Sequence, residues 1–150
     1  MNSGLESSKK VGALMHVGQP EFLAGQKAGE RAAAEGATNA ICLNQESFNT
    51  ALVDRCEGYG TAVKTKMIDS TNDPAEIQTR TAAALQADPS VDAILAAGPH
   101  VCDAAAKAIA EVGASIHLAC FDLSPAVMDL INSGQAAFTI DQQQRLQGYM

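Results

Sequence analysis

The sequence predicts an α/β protein, a three-layer αβα sandwich built around a doubly wound, mostly parallel sheet of about six strands. Short apolar runs alternate with helical segments of roughly 10 to 17 residues, and short loops join them. Trp is absent and aromatic residues make up 4% of the chain, while Ala, Val, Ile and Leu are plentiful, as is typical of helices packed on a parallel sheet. A length of 150 residues fits one domain.

The first strand is predicted over residues 11–17, a short apolar run after a polar start. Residues 18–20 then open a helix that runs to about Glu35. In this helix Gly25 and Gly29 lie about one turn apart among alanines. Such a stripe of small residues lets a helix lie close to a sheet or to another helix, so we expect tight packing along this face.

The second strand is predicted over 39–43, followed by a polar loop and a helix over about 49–63. Asn49 is a residue type that commonly caps the start of a helix. The third strand covers 63–68, and the next helix begins at residues 73–74, an aspartate followed by a proline at the first helical position.

The second half of the chain repeats the pattern, with proline or glycine at the helix boundaries. Its predicted segments are a strand over 91–96, a helix from Pro99 to Gly113, a strand over 115–121, a helix from Ser124 and Pro125 to Gly134, and a strand over 137–140. Residues 146–150 are interpreted as the first turns of a further helix. Strands that alternate with helices in this way predict parallel pairing.

The charge and hydropathy patterns exclude several classes of partner. The net charge is -7 and Lys and Arg form no cluster, so a nucleic acid or an anionic membrane surface is expected to be repelled. No apolar run approaches the roughly 20 residues that span a bilayer. The N-terminal residues also lack the basic and apolar pattern of a signal peptide, so we expect a soluble chain without a targeting segment.

The cysteines are scattered singly along the chain and form no C-x-x-C pair. They are Cys42, Cys56, Cys102 and Cys120. The favoured interpretation is that they are small buried apolar side chains. A disulfide between two of them remains open if the native compartment is oxidising.

The sequence does not predict catalysis, a metal or a cofactor. Pro20 and Glu21 stand where a nucleotide-binding turn would need backbone donors and no negative charge, and no G-x-S-x-G nucleophile motif occurs. His16, His100 and His117 are dispersed, and the first and last of them are interpreted as core or edge histidines of predicted strands. We therefore predict a protein that is not an enzyme.

Polar side chains follow the predicted strands at the points where the strands end. Ligands of open parallel sheets bind outside these carboxyl ends, and carboxylates, amides and guanidinium groups suit the hydroxyls of a sugar or polyol. The candidate ligand-binding residues are Asn44, Glu46, Asn49, Arg55, Gly98, His100, Asp122 and Gln142. Each of them alone is also compatible with a helix cap or a solvated loop, as Asn49 shows.

Four strings of the sequence are distinctive, namely "NSG" near the start, "HVGQPEFLAGQKAGERAA", "CLNQESFNTALVDRCEGY" and "ACFDLSPAVMDLINSGQAAFTIDQQQRLQGY". Together they resemble the type I periplasmic sugar-binding proteins, which share the fold of ribose-binding protein and of the effector domains of LacI-like repressors. The similarity covers residues 2–149 and implies the C-terminal lobe of a two-lobe protein whose N-terminal lobe is absent here. In such proteins the ligand is trapped between two lobes joined by hinge strands.

The resemblance also implies functions for individual residues. Asp122 matches the aspartate that bonds sugar hydroxyls, and Gln142 matches the glutamine beside the returning hinge. Arg55 matches a family arginine, although the binding arginine of ribose-type members falls nearer Val53. Gly98 replaces an asparagine of the ribose-type members, which argues against a simple ribose site. The longer loop that holds Asn44, Glu46 and Asn49 is expected to form the rim of the site.

The sequence thus predicts one lobe of the substrate-binding component of an ABC transporter for a sugar or polyol. The parent protein would be periplasmic, with an ABC permease as its partner, and measurable affinity of this lobe alone is not expected. Two alternatives stay open: the effector-binding domain of a LacI-like transcription regulator, and a stand-alone flavodoxin-like protein that forms a homodimer through the exposed lobe face.

Overall fold

The computed structural model describes residues 4–150 and contains a five-stranded, all-parallel sheet with the strand order β2-β1-β3-β4-β5. The strands are β1 (Asn39–Asn44), β2 (Lys64–Asp69), β3 (Ala93–Ala96), β4 (His117–Phe121) and β5 (Phe138–Ile140). The helices are α1 (Leu5–Lys10), α2 (Glu21–Ala34), α3 (Thr50–Tyr59), α4 (Pro74–Ala87), α5 (Pro99–Val112), α6 (Pro125–Asn132) and α7 (Gln144–Tyr149). Of the "NSG" string, residues 2 and 3 lie outside the described residues.

Two hydrophobic cores cover the two faces of the sheet and confirm the predicted three-layer α/β architecture. In β1 the side chains alternate between them, because Ile41 and Leu43 join one core while Ala40 and Cys42 join the other. The first core takes its helical side chains from α4, α5 and α6, and the second takes them from α2 and α3. Burial on both faces explains why β3 is apolar at every position.

The predicted strand over residues 11–17 is wrong, and the sheet therefore has five strands, one fewer than expected. This segment begins in a turn after α1, with Gly12 at φ 69°, and it pairs with none of the five sheet strands. Its apolar side chains point outward, with Val11 81%, Leu14 104% and Met15 69% exposed. An apolar run alone does not distinguish a buried strand from a segment whose packing partner is elsewhere.

The predicted tight packing of the glycine stripe is confirmed where α2 meets α3. A side chain at Gly25 would place its Cβ 2.1 Å from the carbonyl oxygen of Arg55, and one at Gly29 would place it 2.5 Å from that of Tyr59. Gly58 in α3 is equally close to the carbonyl oxygen of Phe22, at 2.1 Å. Only glycine fits at these positions, so the two helices are held backbone to backbone.

All four cysteines are paired, so the favoured interpretation of independent buried thiols is wrong and the open alternative of disulfide bonding is correct. Cys42 is bonded to Cys56 and Cys102 to Cys120. Each disulfide is buried in one of the two cores, the first on the α2–α3 side and the second on the α4–α6 side. The sequence did not identify the pairing because connectivity depends on the fold. No helix within residues 4–150 has the length and apolar character that a membrane span requires.

Candidate functional site

Asp122 and Gln142 meet at the carboxyl edge of the sheet, the edge at which all five parallel strands end. Asp122 directly follows β4 and Gln142 follows its neighbour β5. The side-chain amide of Gln142 donates to both carboxylate oxygens of Asp122, at 2.8 Å each. Gln144, at the start of α7, donates a further bond of 2.6 Å to Oδ1 of Asp122. The prediction that Asp122 and Gln142 lie together is confirmed.

The backbone fixes Asp122 in place. Its φ of 68° lies in the left-handed region, which aspartate and asparagine tolerate better than most residues. Its N–H donates to the carbonyl oxygen of Ile140 at 2.8 Å, and its own carbonyl oxygen accepts from the hydroxyl of Thr139 at 2.7 Å. β5 therefore holds both the N–H and the carbonyl group of Asp122.

The chemistry of this pair is that of a hydrogen-bond acceptor. The donors to the Asp122 carboxylate are neutral amides, and its oxygens have room for further hydrogen bonds because a carboxylate offers about four lone-pair sites. Gln142 is only 5% exposed, and its Oε1 has no hydrogen-bond partner within the described part of the chain. This oxygen is enclosed, so the acceptor open to a ligand is the half-buried Asp122 carboxylate, which suits a group that donates, such as a hydroxyl.

A second set of polar side chains, the rim cluster, lies at the ends of β1, β2 and β3. It consists of Glu46, Asn49, Asn72 and His100. The Glu46 carboxylate accepts from Nδ2 of Asn49 at 2.8 Å and from Nδ2 of Asn72 at 3.4 Å. Nε2 of His100 lies 3.1 Å from Oδ1 of Asn72. Because the amide of Asn72 faces Glu46, its oxygen accepts and we assign the proton of His100 to Nε2.

Hydrogen bonds from Asn49 and then Asn72, together with the nearby His100, hold the pKa of Glu46 below its usual value of 4.5. In the rim cluster Asn49 and Asn72 thus donate to one carboxylate, and His100 bonds the oxygen of the Asn72 amide. Asn72 was missed in the sequence, although it follows β2 as the other candidates follow their strands. Asn49 also caps α3, since its Oδ1 accepts from the N–H of Ala51 at 3.1 Å.

Asn44 is fully buried, with 0% exposure, and its side chain holds the loop that follows β1. Its Oδ1 accepts from the N–H of Glu46 at 3.0 Å, and its Nδ2 lies 3.7 Å from the sulfur of Met67. Gly98 caps α5 with extended backbone, and a Cβ there would lie 3.0 Å from Nε2 of Gln45. Ligand contact by Asn44 and Gly98 stays a prediction.

Arg55 is buried beneath the carboxyl edge and is occupied by protein partners. Its Nε donates to Glu21 at 2.7 Å and its Nη1 to the carbonyl oxygen of Ala97 at 2.8 Å. Its guanidinium carbon lies 4.3 Å from the centre of the Phe121 ring. Arg55 therefore ties α2 and α3 to the ends of β3 and β4, and direct contact with a ligand stays a prediction.

Of the remaining histidines, His16 lines a cavity whose wall also contains Gln142, whereas His117 lies away from both sets of residues. His16 bonds Ser8 through Nδ1 at 2.9 Å, and its segment is not a strand. His117 begins β4 at the opposite edge of the sheet, where Nε2 lies 2.6 Å from Glu35. Within residues 4–150, His, Cys, Asp and Glu form no group of three or more that would suit a metal ion.

Comparison with known proteins places this arrangement in a family. A sequence model of the periplasmic binding protein domain matches residues 1–150. The structure is similar to that of a carbohydrate transporter from Acidothermus cellulolyticus 11B in complex with myo-inositol, with a TM-score of 0.90 and 34% identity over 99% of this chain and 53% of that chain. No curated protein sequence matches the chain.

Two further solved structures share the fold at lower identity. A periplasmic sugar-binding protein of an ABC sugar transporter from Legionella pneumophila has a TM-score of 0.90 and 23% identity, over 99% of this chain and 59% of that chain. An ABC transporter periplasmic solute-binding protein from Actinobacillus succinogenes 130z with bound D-allose has a TM-score of 0.78 and 21% identity, over 96% of this chain and 55% of that chain. The chain therefore spans little more than half the length of the proteins it resembles.

Proposed function

The chain belongs to the periplasmic binding protein family, and within this family we propose that it forms one lobe of a protein that captures a neutral sugar or polyol for an ABC permease. The observation that carries the proposal is the contact between Asp122 and Gln142 at the carboxyl edge of adjacent strands. The half-buried carboxylate of Asp122, with unused acceptor capacity, fits a hydroxyl of a ring polyol. The solved relatives from Acidothermus and Actinobacillus hold myo-inositol and D-allose, which are both neutral and polyhydroxylated.

The charges at the carboxyl edge support a neutral ligand. Glu46 and Asp122 are the carboxylates of the two polar sets, while the buried Arg55 is neutralised by Glu21. An anionic sugar would meet these two carboxylates, and like charges brought together cost free energy. We therefore propose that sugar acids and sugar phosphates are excluded.

An exposed apolar surface next to the site supports the assignment as a single lobe. Leu14 and Met15 are 104% and 69% exposed, and Leu146 and Tyr149 of α7 are 56% and 89% exposed. A cavity of about 440 Å³ separates these two segments, with Met15, Leu146 and Gln142 in its wall. Apolar surfaces of this kind are normally covered, and we propose that the second lobe covers this one and closes over the ligand.

Calorimetry tests the proposal in two forms of the protein. The chain alone is expected to bind no member of a panel of pentoses, hexoses and cyclitols, because one lobe supplies part of the contacts and no enclosure. A two-lobe hybrid, in which this chain replaces the matching 53% of the Acidothermus protein, is expected to bind a neutral member of the panel. Micromolar binding by the chain alone would contradict the lobe assignment, and a folded hybrid that binds only anionic sugars would contradict the ligand class.

A further inference from the structure

The two disulfides lie close to candidate site residues along the chain. The bond between Cys42 and Cys56 closes a loop with a sequence separation of 14 and a Cα–Cα distance of 5.6 Å. This loop contains four of the candidate residues, namely Asn44, Glu46, Asn49 and Arg55. The bond between Cys102 and Cys120 has a sequence separation of 18 and a Cα–Cα distance of 5.7 Å, and it lies between His100 and Asp122 in the sequence.

The first disulfide anchors both ends of the loop that carries the rim. Cys42 and Asn44 lie on the same side of β1, because strand side chains alternate, and Cys56 directly follows Arg55 in α3. Between the end of β1 and the start of α3 this loop is exposed at its tip, where Phe48 is 86% exposed. Within the loop the N–H of Glu46 is bonded to Oδ1 of Asn44 at 3.0 Å and the N–H of Asn49 to the carbonyl oxygen of Glu46 at 2.8 Å, and Glu46 also accepts from Asn72 outside the loop at 3.4 Å.

The second disulfide connects the elements that carry the two polar sets, on one face of the sheet. Cys102 lies in the first turns of α5, the helix that also carries His100, and its N–H donates to the carbonyl oxygen of Gly98 at 3.0 Å. Cys120 lies in β4, on the strand that leads directly into Asp122. Both cysteines are 0% exposed. This bond therefore fixes the start of α5 relative to the end of β4.

We infer that the two disulfides position the ligand-binding edge, each holding a different part of it. Cys42–Cys56 limits the conformations of the loop over residues 42–56, which carries Glu46 and Asn49. Cys102–Cys120 fixes the position of Asp122 relative to the start of α5. Groups fixed before a ligand arrives lose less conformational entropy on binding, so these bonds preorganise the site. The functional meaning of this inference rests on the proposed sugar or polyol capture, whereas the positioning itself is measurable without a ligand.

Hydrogen exchange of the chain provides the test, with one double variant as the control for the other. In Cys42→Ala/Cys56→Ala the amides of Glu46 and Asn49 are expected to exchange about tenfold faster or more, while the amide of Asp122 changes little. In Cys102→Ala/Cys120→Ala the pattern is expected to reverse. The two disulfide-closed loops are of similar length, so the two variants are expected to lose similar global stability. A difference between them in which amides exchange faster therefore reports a positioning effect.

The unchanged chain gives a second measurement. When it is refolded with a phosphine reductant present, fast exchange is expected at Glu46, Asn49 and Asp122 while the amides of β3 stay slow, and reoxidation is expected to restore slow exchange at all three. An equal rise throughout the sheet in both variants would overturn the inference, as would unchanged exchange at all three reporter amides. Failure of the hybrid to bind any polyol would affect the proposed function and leave this result intact.

Discussion

Two carboxylates near the carboxyl edge of the sheet differ in how their charge is balanced. Glu21 is 6% exposed and is paired with the guanidinium of Arg55, so its charge is neutralised inside the protein. Asp122 is half-buried and is held by the neutral side-chain amides of Gln142 and Gln144. A balanced, enclosed pair serves the fold, whereas we propose that the fixed but unbalanced carboxylate of Asp122 serves a ligand. Glu21 and Arg55 thus support the fold beneath the site, and Asp122 is the proposed ligand-binding group.

Removing Arg55 is expected to have the largest effect on stability. Arg55→Met leaves the Glu21 carboxylate buried without its partner, and such a change costs about 3–5 kcal/mol. Glu21→Gln/Arg55→Met is expected to recover much of this loss, because no unpaired charge remains. Urea unfolding measures both, with Lys107→Met as the control, since Lys107 pairs with Asp103 in α5 but its side chain is 60% exposed. Equal stability of the single variant and the control would mean that the buried pair does not support the fold.

Gly25→Ala is expected to have the next largest effect on stability. The new Cβ would lie 2.1 Å from the carbonyl oxygen of Arg55, so α2 and α3 must separate, at a cost of about 1–3 kcal/mol. The separation would also disturb the Glu21–Arg55 pair. Gly148→Ala in α7 is the matched control, because nothing lies within 4 Å of a Cβ there. Thermal unfolding of the two variants compares them, and similar midpoints would argue against the close helix contact.

Asp122→Asn is expected to leave stability within about 1 kcal/mol while it weakens ligand binding. Asparagine tolerates the left-handed backbone at this position and keeps one acceptor oxygen. A hydrogen bond to a charged group is worth about 1.5–3 kcal/mol, so the affinity of the two-lobe hybrid is expected to fall about tenfold or more. Parallel unfolding and calorimetry separate the two effects. A variant that unfolds readily but binds normally when folded would place Asp122 with Glu21 among the structural residues.

The rim cluster is expected to show the smallest effect, as a dependence on pH. The pKa of Glu46 is lowered in the folded chain, so its contribution to stability is present above the usual pKa of 4.5 and is lost as the pH falls through the lower folded value. Asn49→Ala and, to a lesser extent, Asn72→Ala are expected to raise the pKa of Glu46. Carboxyl NMR titration measures this pKa directly. An unchanged pKa in both variants would show that these amides do not support the carboxylate.

The sequence predicted the fold class and the meeting of Asp122 with Gln142, because both depend on local patterns. Alternating apolar runs locate the strands, and residues that follow parallel strands share one edge. The false strand at 11–17 has the same apolar pattern without a sheet neighbour. The ion pair of Arg55 with Glu21 and the cysteine pairing join residues far apart in the chain, so spacing alone does not show them. Asn72 was missed although the same rule about strand ends applies to it.

The most direct test of this account is calorimetric titration of the two-lobe hybrid, with Asp122 and with Asn at this position, against myo-inositol, D-allose and a uronic acid. The hybrid is expected to bind a neutral polyol and not the uronic acid, and Asp122→Asn is expected to weaken the binding about tenfold or more while the protein stays folded. Equal affinity of the two proteins for the polyol, or preference for the uronic acid, would contradict the assignment of Asp122 as the ligand-binding carboxylate.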